Sequence, residues 1–353
     1  MNMGMENITP RDMRFNPPDF DQGAIAARVF EEYGLQGRWS PLSGERDQNF
    51  LLQADGGRKF VIKIAGPDED PDLADFQVQG LLHLEKRSPH IPVPRIIRTR
   101  DDRCLSNITG ADGIEHAVRV VTWLEGIPYD DGVFPDAAGL QKIGSFVAEV
   151  VNALAGFEHR ASRYFMPWSL SNRIAVSKEI WASTTGKAAT LALPLLDRLH
   201  NEALPSLFSA PSQVIHNDAH CWNLLRPDAV SQEVVGLIDF GDMTYAPVIN
   251  DLAVTASTFR RSGNEQLDDV KNLLIGFHRV HPLSDGEVSM LWDALTLRTL
   301  LAIRLFEVKL NTGREPDPGI VEDIEEACSM LEFICSLDHD HAVNELRAAC
   351  GYC

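Results

Sequence analysis

The sequence predicts an α+β fold of two unequal lobes: an antiparallel sheet with a helix over residues 1–124, then a mainly helical lobe over residues 125–353. Three observations lead there. Short β-prone runs bounded by turn signals crowd the first third, among them Trp39 to Leu42, Phe50 to Gln53, Arg58 to Ile64 and Ala117 to Trp123. Past residue 125 the apolar residues recur at helical spacing instead, as in Leu140, Ile143, Val147, Val150, Val151 and Leu154. Strand-like runs return once, at residues 214–238, and they deliver a cluster of Asp, Asn and His.

Taken in order, residues 1–18 mix Met, Asn and Pro and read as a loose leader. Asp21 is placed to cap a helix through Tyr33, with Ile25, Val29 and Phe30 on one face, and Gly34 ends it. Two strands flank the Ser43-to-Asn49 loop. Asp55-Gly56-Gly57 is a hairpin turn that returns the chain into Arg58 to Ile64, where Lys63 interrupts an apolar run. An acidic stretch, Pro67 to Asp75, leads into a helix over Asp72 to Lys86 carrying Leu73, Phe76, Leu81 and Leu84. Pro92 and Pro94 feed a strand near Arg95 to Thr99. After Ala117 to Trp123, Gly126 and Pro128 punctuate the chain and mark the lobe boundary near 125. Asp136 caps the next helix. Further helices are expected over 171–183, 187–206, 264–281, 285–309 and 317–347, the last with Glu322, Asp323, Glu325 and Glu326 on a solvated face.

The informative stretch is His216-Asn217-Asp218-Ala219-His220-Cys221-Trp222-Asn223, followed by Ile238-Asp239-Phe240-Gly241-Asp242. Two short strands joined by the turn at Pro227-Asp228 would bring Asp218, Asn223 and Asp239 to one end of a hairpin. Oxygen ligands from a carboxylate and a carboxamide suit Mg²⁺, which leaves part of its shell to water or phosphate. A further carboxylate is then free to handle a substrate proton. Taken singly, each of these residues is equally natural as a turn or helix cap. Their joint spacing, each after a β-prone run, favours chemistry.

The string His-x-Asp-x-x-x-x-Asn followed by Asp-Phe-Gly resembles the protein-kinase pattern. His220, two residues after Asp218, makes it similar to the aminoglycoside phosphotransferase-type small-molecule kinases. Ser43-Gly44-Glu45-Arg46-Asp47-Gln48-Asn49-Phe50 and Ile238 to Asp242 resemble the hydroxylysine kinase branch. The resemblance spans about residues 20–310 and implies a protein-kinase-like two-lobed fold.

It also implies roles. Asp218 takes the acceptor proton, and Asn223 and Asp239 hold Mg²⁺. Lys63 meets the α and β phosphates of ATP or GTP, and Ser43 and the Gly44 amide meet phosphate oxygens. Thr122, Trp123 and Leu124 form the hinge at the purine edge. The implied acceptor is a small-molecule amino alcohol, 5-hydroxylysine first, with homoserine, choline, ethanolamine or an aminoglycoside as alternatives. His216 would prop the loop, and Asp251 would brace its backbone or cap the next helix. His220 would contact the loop or phosphate. Related kinases pair the strand Lys with a helix Glu, but Gln77 stands there, with Asp75 and Glu85 as possible substitutes. Asn217 and Trp222 replace the family's common glycines and bear on the acceptor side, as do Trp168 and Ser169 by loop position. Arg298 and Arg304 lie on a mostly apolar helix and read as paired buried arginines rather than ligands, with contact to a substrate carboxylate as the alternative. Gln77 and the glycine-poor loop leave a nucleotide-binding pseudokinase as the alternative class.

Composition narrows the partners. A net charge of -19 over 353 residues disfavours nucleic acid and anionic membrane, and suits a cationic substrate as well as plain solubility. Six scattered cysteines lack a disulfide framework, and with no signal-like N-terminus the expected location is the cytoplasm. Cys350-Gly-Tyr-Cys353 at the C-terminus reads as a frayed tail rather than a redox or zinc site. No run reaches the length of a membrane span. Oligomeric state is not legible.

Overall fold

The computed structural model describes residues 17–353, apart from 68, 112, 179–180, 182–185, 260, 262–264 and 312–317. Most of the expected leader, residues 1–16, lies outside the described residues.

Helix α1 (Gln22–Tyr33) begins where Asp21 accepts from the Gly23 and Ala24 amides and stops at Gly34, whose φ of 70° suits glycine. Its buried stripe is Ile25, Val29 and Tyr33. Phe30, expected inward, is exposed with the Arg100 guanidinium over its ring, because the i, i+4, i+8 row passes through Tyr33 instead.

Strands β1 (Gly37–Leu42), β2 (Gln48–Ala54), β3 (Lys59–Ile64), β4 (Ile96–Ile97), β5 (Ser106–Thr109) and β6 (Glu115–Thr122) form one sheet in the order β1-β2-β3-β6-β4, with β5 also on β6. All its pairings are antiparallel. β5, a short polar Ser-Asn-Ile-Thr run, had no pattern to announce it. Alternation along β3 sends Phe60, Ile62 and Ile64 into the core under α1, with Phe50, Leu52, Val118 and Val120. Lys63 therefore points to the opposite face. Val121 and Ile96 belong there too, in the core that helix α2 (Pro71–Arg87) shares with the second lobe. That helix is clamped to the second lobe. Phe76 stacks on Phe157 at 5.7 Å, and a Cβ at Gly80 would lie 2.5 Å from the Met243 methyl.

In the second lobe, α3 (Ala137–Leu154) starts at the expected cap, with Asp136 accepting from the Gly139 amide at 2.8 Å. Five short strands follow the sheet: β7 (Ile127–Pro128), β8 (Ser212–Ile215), β9 (Leu224–Arg226), β10 (Gly236–Leu237) and β11 (Thr244–Pro247). The hairpin expected in 216–242 is the β9–β10 pair, and β8 pairs with β11 on either side of it. Helices α4 (Ile249–Thr258), α5 (Gln266–Val280), α6 (Asp285–Asn311), α7 (Pro318–Ser336) and α8 (His339–Ala349) complete the lobe.

Three helix expectations need correction. Over 171–183 the chain makes two 3-10 turns, Leu170–Asn172 and Ile174–Val176, divided at Arg173 with φ 61°; part of this range lies outside the described residues. Over 187–206 the helix is broken at 193–195, where Pro194 brings no amide to donate, and resumes as far as Ser209. Over 317–347 there are two helices, because Asp338 accepts from the His341 amide and starts α8. Among the described residues no helix is long and apolar enough to cross a membrane.

Helices α3 and α5 cross with backbone against backbone. A Cβ at Gly276 would fall 1.9 Å from the Gln141 carbonyl oxygen, which cannot swing aside. Gly276→Ala should therefore cost about 1–3 kcal/mol, read as a lower midpoint in thermal or urea unfolding. An unchanged midpoint would contradict this packing.

Candidate active site

Strand β8 ends at Ile215, and the chain turns through residues 216–223 before β9. The turn is made by Asn217 at φ 66°, a left-handed conformation that favours Gly or Asn. Both polar side-chain atoms of Asn217 are buried without a hydrogen-bond partner, so its contribution is to the backbone shape. The turn is pinned from below by Asp251, in the first turn of α4. Its carboxylate accepts from the His216 amide at 3.1 Å and the Asn217 amide at 2.6 Å. Asp251 braces the loop as expected, and the cap position of α4 is Val248 instead. Burial pushes its carboxyl up to about 7, against the two amides that favour the charge.

His216 is fully buried and edge-on to Phe240 at 4.5 Å. Its Nδ1 accepts from the Asp218 amide at 3.2 Å, so Nε2 carries the proton and faces the Ile238 carbonyl at 3.2 Å. Burial pushes it down to about 4, and it stays neutral. This is a prop between the two halves of the motif.

Asp218 projects from this turn. The Asn223 side-chain amide donates to its backbone carbonyl at 2.9 Å and to Oδ2 at 2.8 Å. His220 Nε2 lies 3.2 Å from the same Oδ2, and Arg298 Nη2 lies 3.5 Å from Oδ1. Burial pushes the Asp218 carboxyl up, but His220 and Arg298 outweigh it and hold it below its usual range. The Ile238 amide donates to the Asn223 carbonyl at 3.0 Å, which sets Asn223 beside Asp239. Asp239 is itself left-handed, at φ 62°, and half exposed. The structure thus brings together Asp218, Asn223 and Asp239.

Lys63 reaches the group from the sheet. Its Nζ is 2.8 Å from Asp239 Oδ1 and 3.6 Å from Asp47 Oδ2, and Lys63 holds Asp239 well below the usual carboxylate range. Asp47 also accepts from buried Arg119 at 2.6 Å. The substitutes considered for the helix Glu are not used. Asp75 pairs with His159, Glu85 is exposed, and Gln77 donates to the Gly241 carbonyl at 3.2 Å. The β2 end, rather than α2, supplies the carboxylate.

The 43–49 loop lies down on the second lobe. Arg46 forms an ion pair with Asp242 and donates to the Gly241 carbonyl; Asp242 holds Arg46 protonated against its burial. Glu45 pairs with Lys309 at 2.7 Å and accepts from Trp168 at 3.4 Å. Ser43 is carried to the rim of a cavity of about 500 Å³ that also holds Trp168, Asp218, His220, Trp222 and Arg298. Gly44 falls elsewhere, in a second cavity with Pro17 and Phe20, and a Cβ there would lie 2.2 Å from the Asp47 carbonyl oxygen. Ser169 accepts from the Ser171 amide and does not line the 500 Å³ cavity. Sequence reading passed over Arg46, Asp47, Arg119 and Asp242. The signal for Arg46 and Asp47 was three adjacent charges, Glu45-Arg46-Asp47, in a loop between apolar strands.

At the lobe junction, the Thr122 amide donates to the Arg95 carbonyl and the Trp123 amide to the Lys59 carbonyl. Of the three hinge residues, these two amides are committed to protein partners. Arg304 pairs with Glu307 and lies over Trp181, away from the cavity.

A sheet lobe set over a helical lobe, with Asp, Asn and Lys converging where they meet, defines a protein-kinase-like fold. The described pattern of the phosphotransferase enzyme family, APH, matches residues 38–283, and the chain belongs to that family. It is a small-molecule kinase that uses a nucleotide phosphoryl donor and a hydroxyl acceptor. It is 24% identical to a hydroxylysine kinase of Mus musculus, over 76% of this chain and 77% of the relative. It is 28% identical to a homoserine kinase of Rhizobium rhizogenes, over 86% of each. Among solved structures, a microcompartment-associated aminopropanol kinase superposes with a TM-score of 0.70 at 18% identity, covering 92% of this chain and 98% of that one. An amicoumacin kinase, solved with AMP-PNP and Ca²⁺, gives 0.68 at 14% identity over 91% and 97%.

Asp251 yields a pH test. A carboxyl at about 7 in the fold titrates near 3.9 in an unfolded chain. Between those values the folded state holds a proton the unfolded state lacks, so this group's contribution to stability falls as pH rises through the window. The gap in melting temperature between wild type and Asp251→Asn should be wider near pH 5.5 than near pH 8. A gap independent of pH would contradict the buried, proton-holding Asp251.

Proposed function

We propose that the protein phosphorylates a hydroxyl of a small amino alcohol or amino acid, 5-hydroxylysine first among them, using ATP or GTP with Mg²⁺. The observation that carries this is Asp218 at the wall of the 500 Å³ cavity, with the Asn223–Asp239–Lys63 row beside it. Four relatives that match are hydroxylysine kinases and two are homoserine kinases, and both names describe phosphorylation of a hydroxyl on an amino acid.

Asp218 takes the acceptor's proton on a carboxylate oxygen as the acceptor oxygen bonds to the γ-phosphorus. The bond from that phosphorus to the bridging β-oxygen breaks, and the nucleoside diphosphate leaves. A carboxyl held below its usual range is ready as an acceptor across the neutral range. Asn223 orients it through Oδ2, His220 lies beside the same oxygen, and Arg298 sets a positive charge 3.5 Å from Oδ1. Positioning of this kind supplies most of the rate in phosphoryl transfer.

Asn223 spends its amide nitrogen on Asp218, which leaves its carbonyl oxygen for a cation. Asp239 meets Lys63 through Oδ1, which leaves Oδ2. Among the described residues no cluster of three His, Cys, Asp or Glu groups is arranged to hold a metal. Two oxygen ligands completed by phosphate and water fit Mg²⁺, and such an ion would neutralise charge on the transferring phosphates. Lys63 would exchange Asp239 for α and β phosphate oxygens, and Ser43 would offer its hydroxyl from the rim. At the hinge, Thr122, Trp123 and Leu124 would offer the base their carbonyls and the Leu124 amide.

The test is nucleoside diphosphate release with ATP and with GTP against hydroxylysine, homoserine, choline, ethanolamine and kanamycin. Hydroxylysine should give the highest kcat/KM. Asp218→Ala and Asp239→Ala should each lose on the order of 10²–10⁴ in kcat, while Lys63→Ala should chiefly raise the nucleotide KM. Near-normal turnover by Asp218→Ala would sink the assignment of the base. Nucleotide-dependent thermal stabilisation without turnover of any alcohol would favour a pseudokinase.

A further inference from the structure

Arg298 is a buried cation whose protein partners leave most of it unused. The residue is 5% exposed. Its guanidinium lies over the Trp168 ring at 4.6 Å, and Nη1 donates to the Trp168 carbonyl at a long 3.3 Å. Its approach to Asp218 is monodentate at 3.5 Å, beyond good hydrogen-bond range. A guanidinium offers five donors in a planar fork. By contrast Arg226 donates to the carbonyls of Tyr129, Asp131 and Val133, and Arg119 pairs with Asp47 at 2.6 Å. Arg298 instead lines the 500 Å³ cavity beside Asp218. Burying such a charge without a close partner is costly unless something else supplies the anion.

The rest of the cavity is polarised. Arg298, Ala302, Phe306 and Lys309 follow one another along one face of α6, so two cations flank an apolar strip there. Lys309 is already matched to Glu45 at 2.7 Å, whereas Arg298 has only the long 3.5 Å approach to Asp218. Asp323 and Glu326 enter the same cavity from α7. One wall therefore suits an anion and the other a cation, with the Asp218 carboxylate facing the space between.

From this we infer that the cavity takes a zwitterion: the acceptor is an α-amino acid with a side-chain hydroxyl, its carboxylate held by the Arg298 fork and its ammonium facing Asp323 and Glu326. This rests on the reading of the cavity as the acceptor site. It makes Arg298 the residue that separates amino acids from amino alcohols lacking a carboxylate. A site built around a charged partner rejects the analogue without it, because the buried group is then left unmatched.

The experiment pairs each amino acid with its decarboxylated form: homoserine with 3-aminopropan-1-ol, and 5-hydroxylysine with 1,5-diaminopentan-2-ol. Phosphorylation is measured with Mg²⁺ and nucleotide, and acceptor binding by calorimetry on the nucleotide-free protein. For wild type, the carboxylate-bearing member of at least one pair should be preferred by about 10- to 100-fold in both readouts. Arg298→Gln should erase that preference by raising KM for the amino acid at least about tenfold more than for its analogue, beyond any fall in kcat common to both members through the Asp218 contact. Arg298→Lys keeps the buried charge but loses the fork, and should recover only part of the preference. Should Arg298→Gln fail to fold, the wild-type pairs and Arg298→Lys still decide the matter. Equal handling of the paired acceptors overturns the inference while leaving phosphoryl transfer intact. Equal losses for both members in the variants would mean that Arg298 serves Asp218 or the phosphate, and would also overturn it. Absence of binding by every acceptor overturns it as well. If nucleotide with Mg²⁺ then also fails to stabilise the protein, the kinase reading falls with it.

Discussion

Two backbone amides held by one buried carboxylate shape the reactive end of this molecule. Asp251 is fully buried and accepts from His216 and Asn217, and among the described residues none forms an ion pair with it. Burying a carboxylate costs several kcal/mol, and two charge-assisted hydrogen bonds return roughly 1.5–3 kcal/mol each. The balance is close, and so the carboxyl is left near neutrality, at about 7. What the interaction secures is geometry. It fixes the left-handed step at Asn217, which turns Asp218 into the cavity and lets Asn223 fold back to meet it. His216, neutral and buried, transmits the same constraint to Ile238 and so to Asp239.

A second constraint joins the lobes. Lys63 lies opposite Arg119 on the neighbouring strand, and Asp47 at the end of the loop lies between them. Both cations are largely buried, and removing Asp47 would leave a charge without its partner, at about 3–5 kcal/mol. From this row Lys63 reaches across to Asp239, while Arg46 and Glu45 tie the loop to Asp242 and Lys309. Gln77 joins in through the Gly241 carbonyl. The lobes thus meet through charges that phosphates can displace. This suits a site that must admit a nucleotide and release it.

Local chemistry was legible in the sequence where a residue's role is set by its near neighbours. The Asp21 and Asp136 caps, the Gly34 stop and the hairpin of β9 and β10 follow from short-range pattern, while the bracing Asp251 came from the family resemblance. The cluster of Asp218, Asn223 and Asp239 followed from spacing along that hairpin. What escaped depends on distant parts of the chain. The carboxylate for Lys63 comes from Asp47, 16 residues away (63 − 47) and across a hairpin, whereas family habit pointed to α2. The broken helices over 171–209 and the split at 337–338 were hidden because the apolar pattern continues across the breaks. Arg298 was noticed as buried, but only the cavity shows what its guanidinium faces.

The claim at the centre is that Asp218 and its neighbours move a γ-phosphoryl group onto an alcohol oxygen. Phosphorus NMR of the protein with Mg²⁺, GTP or ATP, and 5-hydroxylysine or homoserine addresses this directly. A phosphomonoester resonance coupled to a carbon-bound proton should grow in step with nucleoside diphosphate and be absent with Asp218→Ala. Release of the γ-phosphate only as inorganic phosphate, or an equal ester signal from the variant, would contradict it.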